Sequence, residues 1–209
     1  MEKKDYWDDI FLSKGIKDYN DSPPSPELLD IIKLIKSGSS VLDLGCGMGK
    51  SDILLSECGF DVTAVDFSEV AIKSLESECK RRNVKMDARV QDLCDFRFEW
   101  EYDLIIAHGS LQFLERRCWE RLIAEAKAHT NPGGVNFVAV FTDTVPTPDD
   151  MAETMGDVFR EGELFELYHD WSILSQESYI KEDEHPGGIR HRHPINKIIA
   201  RKGISTAKR

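Results

Sequence analysis

A hydrophobic run that breaks into glycines at alternate positions, Val41-Leu42-Asp43-Leu44-Gly45-Cys46-Gly47-Met48-Gly49, restricts the folds open to this chain more than any other segment. A stretch with helical character, Lys50 to Cys58, follows at once, so a buried strand must turn sharply into a helix. Glycine lets the backbone make that turn and leaves space that a side chain would fill. The rhythm then repeats. DVTAVD reads as a strand, Glu69 to Arg82 as an amphipathic helix and ARVQD as a strand, the βαβαβ alternation of a parallel sheet. YDLIIAHG reads as a buried strand, Glu115 to His129 as a helix, and NPGG as a turn into the strand VNFVAVFT. GELFELY reads as a short helix, and WSILSQESYI and INKIIARK as two final strands joined by a polar segment. Upstream lie a polar and aromatic lead-in, a turn at SPPSP, and a helix over Glu27 to Lys36 with Pro26 in its first turn. The predicted fold class is α/β: a doubly wound (Rossmann-like), seven-stranded, mostly parallel sheet with an antiparallel C-terminal edge strand.

Composition narrows the partners. A chain of 209 residues fits a single domain with a core of its own, and a net charge of −11 argues against broad attraction to nucleic acid or anionic membrane. The expected partner is a small molecule, with the protein a monomer or a homodimer. The acidic N-terminus, MEKKDYWDDIF, lacks the apolar run of a signal peptide, and no later stretch is long enough to span a bilayer. A cytoplasmic protein is therefore expected. The five cysteines, at 46, 58, 79, 94 and 118, form no CxxC pair and read as reduced, mostly buried thiols. No metal is expected.

The chemistry begins at the glycine turn. Asp66 ends the second strand about 20 residues on, the spacing at which a carboxylate accepts hydrogen bonds from ribose hydroxyls. Together, turn and acid mark an adenosine site. The spacing is GxGxG, whereas dinucleotide sites generally use GxGxxG facing a pyrophosphate. Asp43, leading the turn, would repel pyrophosphate but pairs well with the ammonium of an amino-acid moiety. DLGCGMG resembles the first motif of class I S-adenosylmethionine-dependent methyltransferases, and AVDFS resembles their ribose-binding acidic loop. The resemblance implies S-adenosylmethionine as cofactor, with S-adenosylhomocysteine as product, held by Asp43, Gly45, Cys46, Gly47, Gly49 and Asp66. It maps the adenine contact onto Asp92, flanked by Leu93 and Phe67; Asp92 also reads as a cap or turn residue.

EYDLIIAHGSLQFLE, NPGG, FREGELFELYHDW and a closing ARK resemble the tellurite-resistance (TehB-like) methyltransferases over roughly residues 15 to 203. The chain divides, within a single domain, into an N-terminal lid and helix (1–38), a cofactor-binding core (39–143), and a substrate-side insertion with C-terminal strands (144–209), the lid being implied by the resemblance. The resemblance also implies methyl transfer to a small molecule such as tellurite or selenite. Ligands in open α/β sheets sit beyond the carboxyl ends of the strands, which makes His108, Gly109 and Ser110 candidates to face the methyl group. His108 can accept a proton, border the cofactor, or simply hold its loop. Gln112 and Phe113 line the same pocket, or Leu111, Phe113 and Leu114 are core at a loop-to-helix junction. His185, Arg190, His191, Arg192 and His193 concentrate donors in one segment. Three readings stand for it. His185 and Arg190 act in catalysis with Arg190, His191 and His193 holding an anion; or the segment is a solvated hairpin; or it is an incomplete metal site. By resemblance the segment around Tyr19 is a lid with Tyr19 on the substrate; the segment also reads as a helix packed on the sheet edge. Two other functions remain open: a non-catalytic S-adenosylmethionine-binding regulatory module, and a nicotinamide-dependent oxidoreductase.

Overall fold

In the computed structural model, which describes residues 3–20, 25–185 and 189–204 and all their side chains except those of 14–20, 150, 183–185 and 189, strand β1 (Ser40–Leu44) lies between β2 (Asp61–Asp66) and β4 (Tyr102–His108), parallel to both. From β1 the chain first winds outward to β2 and β3 (Asp87–Val90). It then crosses back to β4 and β5 (Thr130–Phe141) on the other side. Two long strands complete the sheet: β7 (Ile189–Arg201) pairs antiparallel with β5, and β6 (Ser172–His185) pairs antiparallel with β7 at the edge. The order β3-β2-β1-β4-β5-β7-β6 is the doubly wound sheet expected from the sequence. Its reversal of direction leaves a crevice above the carboxyl ends of β1 and β4.

Strand alternation sorts the side chains onto two faces. Leu42, Leu44, Ile105, Val138 and Val140 pack under α5 (Arg116–Ala128) and α6 (Glu163–Leu167), where fully buried Trp119 stacks on Phe159 at 4.0 Å. Val41, Val62, Leu104, Ile106 and Phe137 pack under α2 (Pro26–Leu34) and α3 (Lys50–Glu57). Ala64 continues that face beneath α3 and α4 (Glu69–Arg82). Asp43, Asp66 and His108 share this parity, so the strands deliver all three to the same side of the crevice.

Helix starts follow local chemistry. Ser25 accepts a hydrogen bond from the Leu28 amide at 3.2 Å, with Pro26 as the first helical residue of α2. Ser68 caps α4 through the Ala71 amide at 3.0 Å.

The lead-in is a helix, α1 (Lys3–Asn20), as one of its two readings had it, and it packs against α4 instead of the sheet edge. One segment departs from the sequence reading. NPGG runs inside β5 instead of preceding it. The pairing with β4 shifts register between Tyr102 and Leu104, a place where Pro132, lacking an N–H, is tolerated. Among the described residues no helix is long and apolar enough to cross a membrane.

A buried polar chain fastens α6 to the sheet. The Tyr168 hydroxyl donates to Asn136 Oδ1 at 2.9 Å, Asn136 Nδ2 donates to Thr130 Oγ1 at 2.7 Å, and Thr130 donates to the Ala126 carbonyl at 2.6 Å. Replacing Tyr168 by Phe leaves the Asn136 carbonyl unpaired in a dry core, at a cost of about 1–3 kcal/mol. Thermal unfolding of Tyr168→Phe should show a midpoint several degrees lower; an unchanged midpoint would contradict this network.

Candidate functional site

The crevice is shaped by the glycine turn. Gly45, Gly47 and Gly49 have φ of 87°, 55° and 72°, the left-handed region that side chains disfavour. A Cβ at Gly45 would also stand 2.3 Å from Ser110 Cβ, and one at Gly49 would stand 2.2 Å from Leu75 Cδ1. The Gly45 and Cys46 amides donate to the Val65 carbonyl at 2.8 and 3.0 Å, pinning the turn to the end of β2. Asp66 completes the link. Its Oδ2 accepts from the Gly47 amide and its Oδ1 from the Ser68 amide, both at 2.9 Å.

Above the turn opens a cavity of about 1300 Å³. Its wall includes Asp43, Gly45, Cys46, Gly47, Asp66, Phe67, Asp92, Leu93, His108 and Ser110, all named from the sequence. Gly49 stands behind this wall as the left-handed N-cap of α3. Asp92 is a turn residue, its Oδ1 accepting from the Cys94 amide at 2.7 Å, and it also borders the cavity. Ser110 also has an internal role, donating to the Leu44 carbonyl at 2.6 Å. Phe113 reaches the cavity, whereas Gln112 is fully buried apart from it.

Helix α1 forms the roof. Lys3, Trp7, Ile10 and Phe11 border the cavity, and Trp7 meets Phe113 edge-on at 5.0 Å. Lys3 donates to the Phe113 carbonyl, and Asp8 accepts from the Ser68 hydroxyl beside Asp66. Sequence reasoning missed these roof residues. The spacing of Trp7, Ile10 and Phe11 on one helical face was the available signal, set among many charges.

Burial raises the Asp66 pKa, opposed by the Ser68 and Gly47 amides. Asp43 is pushed well above the usual carboxylate range by burial and by the neighbouring Asp52 and Asp66. His108 opens onto the cavity but is walled by protein, its ring tilted against Phe137 at 5.2 Å. Desolvation and the positive charge of Lys197 hold its pKa below the ordinary histidine value, against a weaker pull from Glu27. The ring is therefore neutral at pH 7 and able to accept a proton. Lys197 is itself buried and paired with Glu27 and, at 3.0 Å, with Glu177.

The His- and Arg-rich segment lies along β7, which separates its residues by alternation. His191 and His193 are buried on the His108 face, with His193 stacked on Phe141 at 4.7 Å. Arg190 and Arg192 are exposed on the other face, and Arg192 pairs with Glu182 at 3.5 Å. None of the four borders the cavity, so the structure does not bring Arg190 to the place expected of a catalytic group. The side chains of Tyr19 and His185 lie outside the described residues.

One expectation about cysteine is corrected. Cys94 and Cys118 form a disulfide in the cavity wall, with Cα atoms 5.4 Å apart, tying the loop after Asp92 to the start of α5. Cys46, Cys58 and Cys79 are unbonded thiols. A separation of 24 residues gives no sequence signal for such a pairing. Arg121 reinforces the tie, donating to the Leu93 and Cys94 carbonyls at 3.1 Å each.

Residues 3–189 match the family described as tellurite resistance protein TehB. The chain is 34% identical over 192 residues to the probable S-adenosyl-L-methionine-dependent methyltransferase TehB of Haemophilus influenzae. That match covers 89% of this chain and 65% of the relative, so the chain spans just under two thirds of the curated relative's length. The crystal structure of TehB from Haemophilus influenzae superposes with a TM-score of 0.79 at 31% identity, covering 96% of this chain and 67% of that one. The N-methyltransferase NodS from Bradyrhizobium japonicum WM9, solved with S-adenosyl-L-homocysteine, superposes at 0.69 with 16% identity, covering 97% and 99% of the two chains; at that identity only the fold is shared.

Closing a loop of this length by a disulfide stabilises a domain by about 3 kcal/mol in the chain-entropy description. Cys118→Ser should therefore lower the thermal midpoint by roughly 6–12 °C. Reductant should lower the natural protein's midpoint similarly and leave the variant unchanged. A midpoint insensitive to both would contradict the bond.

Proposed function

The chain belongs to the TehB family of S-adenosylmethionine-dependent methyltransferases, and from that premise we propose that it methylates a small molecule, a chalcogen oxyanion such as tellurite or selenite. The observation that supports a donor site most strongly is the Asp66 carboxylate. It is fixed by the Gly47 and Ser68 amides in the wall of the same cavity that Asp43, Asp92 and His108 border. An oxygen that accepts one amide retains a lone pair, so Asp66 stays available to ribose hydroxyls. Gly45 and Gly47, both in the left-handed region, present bare backbone to the cavity wall, which fits a ligand lying against the turn.

In this reading Asp43 holds the methionyl ammonium, Asp66 the ribose and Asp92 the adenine amine, with Leu93 and Phe67 flanking the base. Bound S-adenosylmethionine supplies a methyl carbon already activated by its sulfonium charge. The protein's own task is to orient, dry and deprotonate. Trp7, Phe11 and Phe113 form an apolar roof that excludes water. His108, neutral at pH 7, takes a proton from an acceptor that carries one; an oxyanion needs little such help. Lys3, Lys4, Lys50, Arg117 and Arg121 line the cavity beside Asp43, Asp66, Asp92, Asp95 and Glu115, so it offers partners both to a cationic donor and to an anionic acceptor.

Calorimetric titration with S-adenosylmethionine and S-adenosylhomocysteine, with NADH as control, tests the reading on the natural protein and Asp66→Ala. The expected result is binding of both sulfur ligands, a loss of at least tenfold in the variant, no binding of NADH, and S-adenosylhomocysteine release on adding tellurite or selenite. No binding by the natural protein would overturn it. Tight binding without turnover on any acceptor would favour the regulatory module instead.

A further inference from the structure

We infer that Asp52 is a positioning residue of the donor site: its carboxyl shares a proton with Asp43, and a cation arriving at Asp43 displaces that proton, so that ligand binding is coupled to pH. The inference rests on the assignment of Asp43 to the methionyl ammonium made above.

Asp52 sits in the first turn of α3 and is fully buried, and among the described residues no donor stands in hydrogen-bonding geometry to either of its oxygens. Buried carboxylates almost always have such donors. The group that Asp52 does face is the carboxyl of Asp43, 5% exposed, which borders the cavity that Asp52 does not reach. Two ionised carboxylates can only accept, so the contact becomes a hydrogen bond when one of them carries a proton.

The surroundings favour that proton. Asp66 contributes a third negative charge from the end of β2, and among the described residues no positive charge is a cause of the shift of either Asp43 or Asp52. The thiols of Cys46, in the turn, and Cys79, on α4, are themselves pushed up by burial and by these carboxylates, so they stay neutral. Burial carries Asp52 up to about 7, against a weaker pull from its backbone N–H, which places its titration in the physiological range. An ammonium at Asp43 stabilises the doubly ionised pair and drives the proton off. Asp52 thereby sets how much negative charge Asp43 presents, without touching the ligand.

The test is calorimetric titration of S-adenosylhomocysteine in phosphate and in Tris, from pH 6.0 to 8.5, with the natural protein and Asp52→Asn. For the natural protein we expect net proton release near pH 7 and affinity that tightens by roughly three- to tenfold across the range. In Asp52→Asn, where the amide mimics a permanently protonated partner, release should vanish and affinity should stay near the natural protein's acid value. This variant also separates Asp52 from His108 and Asp66, whose titration it retains.

A second readout needs no ligand. Carboxyls whose folded pKa is raised bind more protons folded than unfolded, so their contribution to stability is fullest below the ordinary carboxylate range. It is lost as the pH climbs from there through about 7. The thermal midpoint of the natural protein should fall over that window, and that of Asp52→Asn should fall less. Binding without proton release, or equal release from the variant, would overturn the shared proton and leave the donor site standing. No binding by the natural protein would overturn the donor site itself.

Discussion

The hydrogen bond from the Gly47 amide to Asp66 joins the first turn of the sheet to the end of the second strand, and the cavity takes its shape from that join. With the turn held there, the left-handed conformations at Gly45 and Gly49 are retained and α3 starts where its first turn carries Asp52 inward. The loop after Asp66 is fixed through the Ser68 amide, and Ser68 in turn receives the roof through Asp8. A single carboxylate thus couples the sheet, the helix after it, and the helix that covers the site.

The same arrangement concentrates negative charge. Asp43 and Asp66 arrive on one sheet face by strand parity, and α3 adds Asp52 from above. Such a cluster is costly in a buried turn unless it is protonated or neutralised by a cation. Elsewhere the cavity wall mixes charges, with Lys3, Lys4, Lys50, Arg117 and Arg121 beside Asp92, Asp95 and Glu115.

Much of this was legible in the sequence because the relevant signals are local. Glycine spacing, alternating apolar strands and an acid at a strand end pointed to the doubly wound sheet and to Asp43, the glycine turn and Asp66, while the family resemblance added Phe67, Asp92 and Leu93. What escaped depends on contacts between distant segments. The roof helix hides its apolar face, Trp7, Ile10 and Phe11, among charges, and only packing on α4 and Phe113 reveals its purpose. The disulfide joins residues whose approach is decided by α5 docking on the loop after Asp92. Asp52 reads as an ordinary acidic residue at a helix start until its burial is seen. The His- and Arg-rich segment shows the converse, a strong sequence signal that a strand divides between two faces.

The central claim is that the crevice over the glycine turn, roofed by α1, is where the methyl donor binds. Hydrogen exchange of the natural protein with and without saturating S-adenosylhomocysteine tests it most directly. The account predicts slower exchange in residues 43–51, 66–68 and 92–95 and in the N-terminal half of α1. Unchanged exchange in those segments, or protection confined to the β6–β7 hairpin, would contradict it.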